Sequence, residues 1–189
     1  MKRTFIGIVT LMLLGTFCAM AGTQAGKKEI QIQGSLTMSG NSENKDRDTT
    51  LMGQIGLNYF LAPQFSFGLA SVISSTLSQP EHGDETKFTL LFLMLRADVY
   101  LTSGEGSVVP YIGGQAGGVS VVSQSGGGDT QTSTGTAYGG HAGLKIFPTE
   151  NTSWNVEGAA TMYKSDAGGG SSSATRHEYA LLVGFSYYF

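Results

Sequence analysis

The stretch Tyr179-Ala-Leu-Leu-Val-Gly-Phe-Ser-Tyr-Tyr-Phe189 decides how this chain is read. Counting back from the end, Phe189, Tyr187, Phe185, Val183, Leu181 and Tyr179 form one row. Tyr188, Ser186, Gly184, Leu182, Ala180 and Glu178 form the other. Successive side chains of a strand point to opposite faces, so the first row makes a wholly apolar, aromatic face. The second is smaller and more polar. Chain ends usually sit in water, and a soluble domain seldom ends on so apolar an edge. A strand that faces lipid and closes a barrel has reason to.

This ending resembles the C-terminal assembly signal of bacterial outer-membrane β-barrels, a terminal Phe with hydrophobic residues at every second position before it. Here those are Phe189, Tyr187, Phe185, Val183 and Leu181. The resemblance implies periplasmic chaperones and the barrel-assembly machinery as partners during biogenesis.

Composition agrees. Charged residues are 13% of the 189, against about 25% in an ordinary soluble domain. The 28 glycines are about twice the usual share. A sequence pI near 5.5 leaves no basic surface for nucleic acid.

The first 21 residues read as a cleavable signal peptide. Lys2-Arg3 is the positive n-region, Phe5 to Phe17 the apolar core, and Ala19-Met20-Ala21 an A-x-A cleavage site. Phe17 is too bulky for a lipid-attachment box at Cys18. Cleavage after Ala21 removes the only cysteine and two basic residues, so the mature chain, 22–189, is expected to be more acidic than the −3 of the whole. It then has neither a disulfide nor a thiol nucleophile. No later run reaches the roughly 18 apolar residues of a spanning helix.

From Glu29 onward the pattern alternates with period two. Ile30, Ile32, Gly34, Leu36 and Met38 oppose Gln31, Gln33, Ser35, Thr37 and Ser39. Similar strands follow: Thr50 to Tyr59, Phe65 to Ile73, Phe88 to Leu101, Val108 to Ser123, Thr136 to Ile146, Ser153 to Met162, and the terminal one. The fourth looks helical until Arg96 and Asp98 fix its phase opposite Leu91, Leu93, Leu95, Ala97, Val99 and Leu101. In the fifth, Pro110, Ile112, Gly114 and Ala116 point outward, while Val119 and Val121 suggest a bulge further on.

The connections alternate long, short, long, short, long, short, long. Transmembrane barrels have that rhythm, with an even strand number and both termini at the short-turn end. Strands of about ten residues suit an apolar band about 25 Å tall. A β-sandwich also alternates, but its polar faces meet water and carry many charges. The expected fold is therefore all-β, an eight-stranded antiparallel up-and-down transmembrane barrel over 22–189. The mature chain resembles the small eight-stranded outer-membrane barrels of the OmpA, OmpX and opacity-protein kind, and Pro110-Tyr-Ile-Gly-Gly-Gln-Ala-Gly-Gly118 is similar to a strand found there. That resemblance implies the outer membrane of a Gram-negative-type bacterium, with its lipid and lipopolysaccharide as partners.

Eight strands enclose a lumen just wide enough for side chains to fill. The inward row carries Arg96, Asp98, His141, Lys145, Glu157 and Glu178, which should pair, because isolated charges are costly in such an interior. This network reads as a plug, or as a narrow gate if its charges rearrange. Outward, Tyr59, Phe65, Phe67, Trp154, Tyr187 and Phe189 lie near the short-turn ends, as an aromatic girdle would. Lys45, Arg47, Lys87 and Lys164 could meet lipopolysaccharide phosphates. The acidic run Glu81-His82-Gly83-Asp84-Glu85 is read as solvated loop rather than a metal site. No catalytic residue, metal or cofactor is expected.

Three functions remain open on the sequence. One is a non-enzymatic barrel with a structural or surface-contact role, any loop ligand being unspecified. Another is a narrow porin-like or lateral-path transporter of small or hydrophobic solutes. The third is a lipid A-modifying hydrolase, for which no His-x-Ser arrangement is present.

Overall fold

The computed structural model describes residues 23–40, 47–79, 86–102, 106–125, 130–166 and 173–189. The leader read in residues 1–21, Lys45 and the acidic run 81–85 lie outside them. Eight strands follow in chain order: β1 (Lys28–Gly40), β2 (Arg47–Ala62), β3 (Phe65–Gln79), β4 (Thr86–Tyr100), β5 (Val108–Ser125), β6 (Gln131–Thr149), β7 (Thr152–Asp166) and β8 (Ser173–Tyr188). Each pairs antiparallel with the next, and β8 returns to β1, so the sheet is a closed barrel.

Closure follows from the sequence pattern. Every strand has an apolar outward row, opposed by an inward row that carries its small and polar residues and, in the long-loop half, further apolar ones. The apolar rows face out, with Ile32 57%, Ile55 61%, Leu93 64% and Leu181 59% exposed. Lipid in place of water makes such exposure favourable, provided every backbone group finds a partner within the sheet.

The short-turn end is knit by backbone bonds. Gly26 N–H donates to Phe60 C=O at 2.8 Å, and Phe60 N–H to Lys27 C=O at 2.9 Å. Gly26 has φ +86°, a left-handed turn that a side chain would strain. Phe147 N–H reaches Ser107 C=O at 2.7 Å, and Tyr188 N–H reaches Asn151 C=O at 2.9 Å.

Two expectations are corrected. The fifth strand has no bulge: its register with β4 and β6 runs unbroken past Val119 and Val121. Both valines face inward, 4% and 7% exposed, because the lumen's long-loop half is apolar rather than polar. The register shifts fall instead beside short turns, at Phe60/Ala62 and Ile146/Thr149. Second, the strands outrun the apolar alternation. β3 continues to Gln79 and β6 begins at Gln131. Above the hydrocarbon the outward side chains meet water, so alternation fades while the ladder persists. Hydroxyl pairs also link neighbouring strands in the long-loop half, Thr50 with Thr76 at 2.9 Å and Ser75 with Thr89 at 3.4 Å.

Inside, the lumen is filled in layers. Phe60, Tyr100, Val109, Tyr111, Phe147 and Tyr188 close the short-turn end, all within 1% of full burial. Charged and amide side chains lie above them. Met52, Val72, Leu90, Phe92, Met94, Val119, Val121 and Leu182 fill the long-loop half.

A charge placed on the outer wall tests the lipid assignment. Leu93→Arg should destabilise the barrel by about 2–4 kcal/mol, read by denaturant unfolding in phospholipid vesicles. A water-facing Leu93 would tolerate the change.

Candidate functional site

The alternation that sends Leu95 and Ala97 outward sends Arg96 and Asp98 into the lumen from β4. His141 and Lys145 enter from β6, and Glu157 from β7. These side chains are 6% exposed or less. Arg96 organises the cluster. Its Nε donates to both Asp98 carboxylate oxygens at 3.0 Å. Its Nη1 and Nη2 reach Glu157 Oε1 and Oε2 at 3.2 and 2.6 Å. One guanidinium thus spans from β4 to β7, which are not neighbours in the sheet. The planar fork suits two carboxylates at once, as a lysine would not.

Each carboxylate accepts one further bond. Tyr111 Oη donates to Glu157 Oε2 at 2.6 Å, and His141 Nε2 lies 2.5 Å from Asp98 Oδ1. Gly113 makes the latter approach possible: a Cβ there would collide with both His141 Nε2 and Asp98 Oδ1. Gly143 does the same for Tyr111, since an added Cβ would sit 2.7 Å from its hydroxyl.

Lys145 belongs to a second group. It pairs with Glu29 of β1. Asn58 Nδ2 and Tyr188 Oη each donate to Glu29 at 3.1 Å. The ammonium is ringed by Tyr100, Tyr111 and Tyr188, at 5.9, 5.3 and 5.7 Å from their centroids. Ring faces and one carboxylate therefore replace the water lost on burial.

The structure thus brings Arg96, Asp98, His141 and Glu157 together and sets Lys145 beside them with Glu29. Glu178 does not join. It lies in the long-loop half, among Met52, Gln54, Gln115 and Thr161. The height of β8 explains this, since Glu178 lies ten residues before Tyr188, in the long-loop part of the strand. Sequence reasoning left out Glu29 and the aromatic floor of Phe60, Tyr100, Tyr111, Phe147 and Tyr188. Parity held the signal: Glu29 begins the polar row of β1, and Tyr100 and Tyr188 share rows with Asp98 and Ser186.

The six girdle aromatics all face outward, from Phe65 at 37% to Phe189 at 54% exposed. Trp154 packs edge-on to Phe185 at 5.7 Å, and Tyr187 stacks on Phe189 at 6.3 Å. Lys87 and Lys164 are exposed, while the side chain of Arg47 is outside the described residues. Among the described residues no three His, Cys, Asp or Glu converge as metal ligands. His141 Nε2 meets a carboxylate rather than a serine hydroxyl, and its buried Nδ1 has no partner. The arrangement can neutralise charge, fix the spacing of opposite walls and obstruct the lumen.

Residues 9–189 match the family described as outer membrane protein beta-barrel domain. No curated protein sequence matches the chain. Among solved structures, Neisserial surface protein A is similar, with 15% identity and a TM-score of 0.60 over 87% of this chain and 99% of that one. The N-terminal β-barrel domain of Pseudomonas aeruginosa OprF is 16% identical, with a TM-score of 0.49 over 88% and 98% of the two chains. The likeness to the neisserial protein is one of fold.

Removing the guanidinium leaves two buried carboxylates unpaired. Arg96→Ala should therefore cost about 3–5 kcal/mol in denaturant unfolding. Arg96→Met combined with Asp98→Asn and Glu157→Gln should recover much of that loss, because no charge remains stranded.

Proposed function

The chain belongs to the outer membrane protein β-barrel domain family, and from that premise we propose that it is a non-enzymatic barrel with a closed lumen. Its wall contributes to the integrity of the envelope, and its long loops make the surface contacts. It resides in the outer membrane of a Gram-negative-type bacterium, in contact with that membrane's lipid and lipopolysaccharide. The observation that carries the closed-lumen reading is the stack of two obstructions. The aromatic floor lies within 1% of full burial, and the Arg96 cluster crosses the barrel above it. A porin-like path would have to break both. A lipid A hydrolase would need a hydroxyl on a base, whereas the buried histidine is bound to Asp98.

Biogenesis completes the proposal. Residues 1–21 act as the export leader. The row Leu181, Val183, Phe185, Tyr187 and Phe189, 38–59% exposed, is the face offered to the assembly machinery after chaperone delivery. Lys87 and Lys164 meet lipopolysaccharide phosphates as general electrostatic attraction, without selecting one form.

Two measurements test this. Purified protein in planar bilayers should give no steady conductance steps, and vesicles containing it should not swell in small sugars. Steady steps that change with Arg96→Ala would establish transport instead. Intact-mass analysis of protein from the outer membrane should place Gly22 at the N-terminus.

A further inference from the structure

Pairing between β1 and β8 runs only from Glu29↔Tyr188 to Gly34↔Val183. Both strands continue well beyond, β1 to Gly40 and β8 back to Ser173. Extending the register would set Ser35 against Leu182, Leu36 against Leu181 and Thr37 against Ala180, but these pairs do not form. The other ladders run on toward the long-loop ends, as β2 does with β3 up to Arg47↔Gln79. The barrel is thus unzipped along one seam, in its long-loop half.

Behind that seam lies an open cavity of about 290 Å³, lined by Ser35, Thr37, Thr50, Thr76, Glu178 and Ala180, among others. Four hydroxyls and one carboxylate make its wall rich in hydrogen-bond acceptors. Among the described residues no basic group lies within ion-pairing distance of Glu178. His177 also borders the cavity, and the Arg176 guanidinium sits over the Phe88 ring at 5.5 Å. Beneath the cavity, among the described residues, Met52, Val72, Phe92, Met94 and Leu182 leave a void of about 20 Å³. Outside, the slit is bordered by Leu36, Leu181 and Tyr179, 60%, 59% and 77% exposed.

These features specify an occupant. What meets the slit from outside is hydrocarbon, so the occupant arrives from the membrane and carries an apolar chain. What awaits it inside, set beside hydroxyls, is a carboxylate with no cationic partner among the described residues. An ammonium supplies three donors and no acceptor, and so fits that wall. A sulfate or phosphate would face Glu178 with like charge, and a neutral head would leave the carboxylate unpaired. We propose that the chamber holds the ammonium head of a membrane amphiphile that enters sideways through the β1–β8 seam. Its chain stays along Leu36 and Leu181. The packed lumen below makes the chamber a dead end. The inference rests on the bilayer placement and goes beyond the closed-lumen reading, which conductance tests separately.

The test uses the full chain folded in dodecyl-maltoside micelles, titrated with dodecylammonium, dodecyl sulfate, dodecanol and ethylammonium. Dodecylammonium should give saturable backbone amide shifts confined to 35–37, 50–52 and 177–180. Glu178→Gln should weaken that binding by about tenfold or more, while folded and boiled protein still migrate differently on gels. Equal affinity for dodecyl sulfate or dodecanol, or unchanged binding by Glu178→Gln, would overturn the assignment. Ethylammonium binding as tightly as dodecylammonium would show that the chain, and so the lateral entry, plays no part. Should Glu178→Gln not fold, the series of head groups on the wild-type chain decides alone.

Discussion

Every peptide N–H and C=O that crosses hydrocarbon must be bonded within the protein, since the solvent offers no substitute. An open sheet cannot meet this condition, because two edges always remain. The eight antiparallel pairings form a ring, and the ring depends on its last junction, between β1 and β8. That junction has only the pairs from Glu29↔Tyr188 to Gly34↔Val183, all in the short-turn half. There the backbones approach closely: a Cβ on Gly184 would collide with Ile32 C=O and the Gln33 side chain. The first and last strands therefore carry more of the fold's closure than their length suggests.

Closing the ring creates a second demand, an interior to be filled. In the short-turn half, charges enter the lumen where geometry neutralises them. Arg96 answers Asp98 and Glu157, and Lys145 answers Glu29. Both links join strands that are not neighbours, so they fix distances across the lumen that the backbone ladder leaves free. An equally large apolar filling could be as stable. What the charged layer adds is register: sliding one strand by a residue would turn Arg96 to lipid, because the side-chain period is two.

Much of this was legible in the sequence, for a physical reason. A strand exposed to lipid on one face and to a filled lumen on the other must alternate, so period-two patterning located all eight strands and the phase of nearly every side chain. Leu93 outward and Arg96 inward follow from counting. Three things were not legible. Partners across the lumen, such as Glu29 for Lys145, depend on stagger, which no single strand encodes. The phase of β5 was blurred because its outward row at Gly118 and Ser120 is small while its inward row at Val119 and Val121 is apolar. The position of Glu178 was misjudged because parity gives a face but not a height.

Height is the variable that divides the molecule. Following partners around the ring from Ile30, through Leu57, Leu69, Leu95, Ala116, Tyr138 and Met162, leads to His177. On the extended β8 register His177 faces Gly40, not Ile30. The strands are strongly tilted, so one inward row samples every layer of the lumen. The short-turn half then holds aromatics and paired charges under complete backbone pairing. The long-loop half holds methionine, valine and phenylalanine beside an incomplete seam. Apolar contacts are non-directional and methionine adapts readily to changed neighbours. A wall backed by such packing can part locally without stranding a charge. A wall backed by the Arg96 cluster cannot. The same filling that makes the lower barrel rigid thus confines any opening to the upper seam, where hydroxyls of Ser35, Thr37, Thr50 and Thr76 stand ready to solvate unpaired backbone.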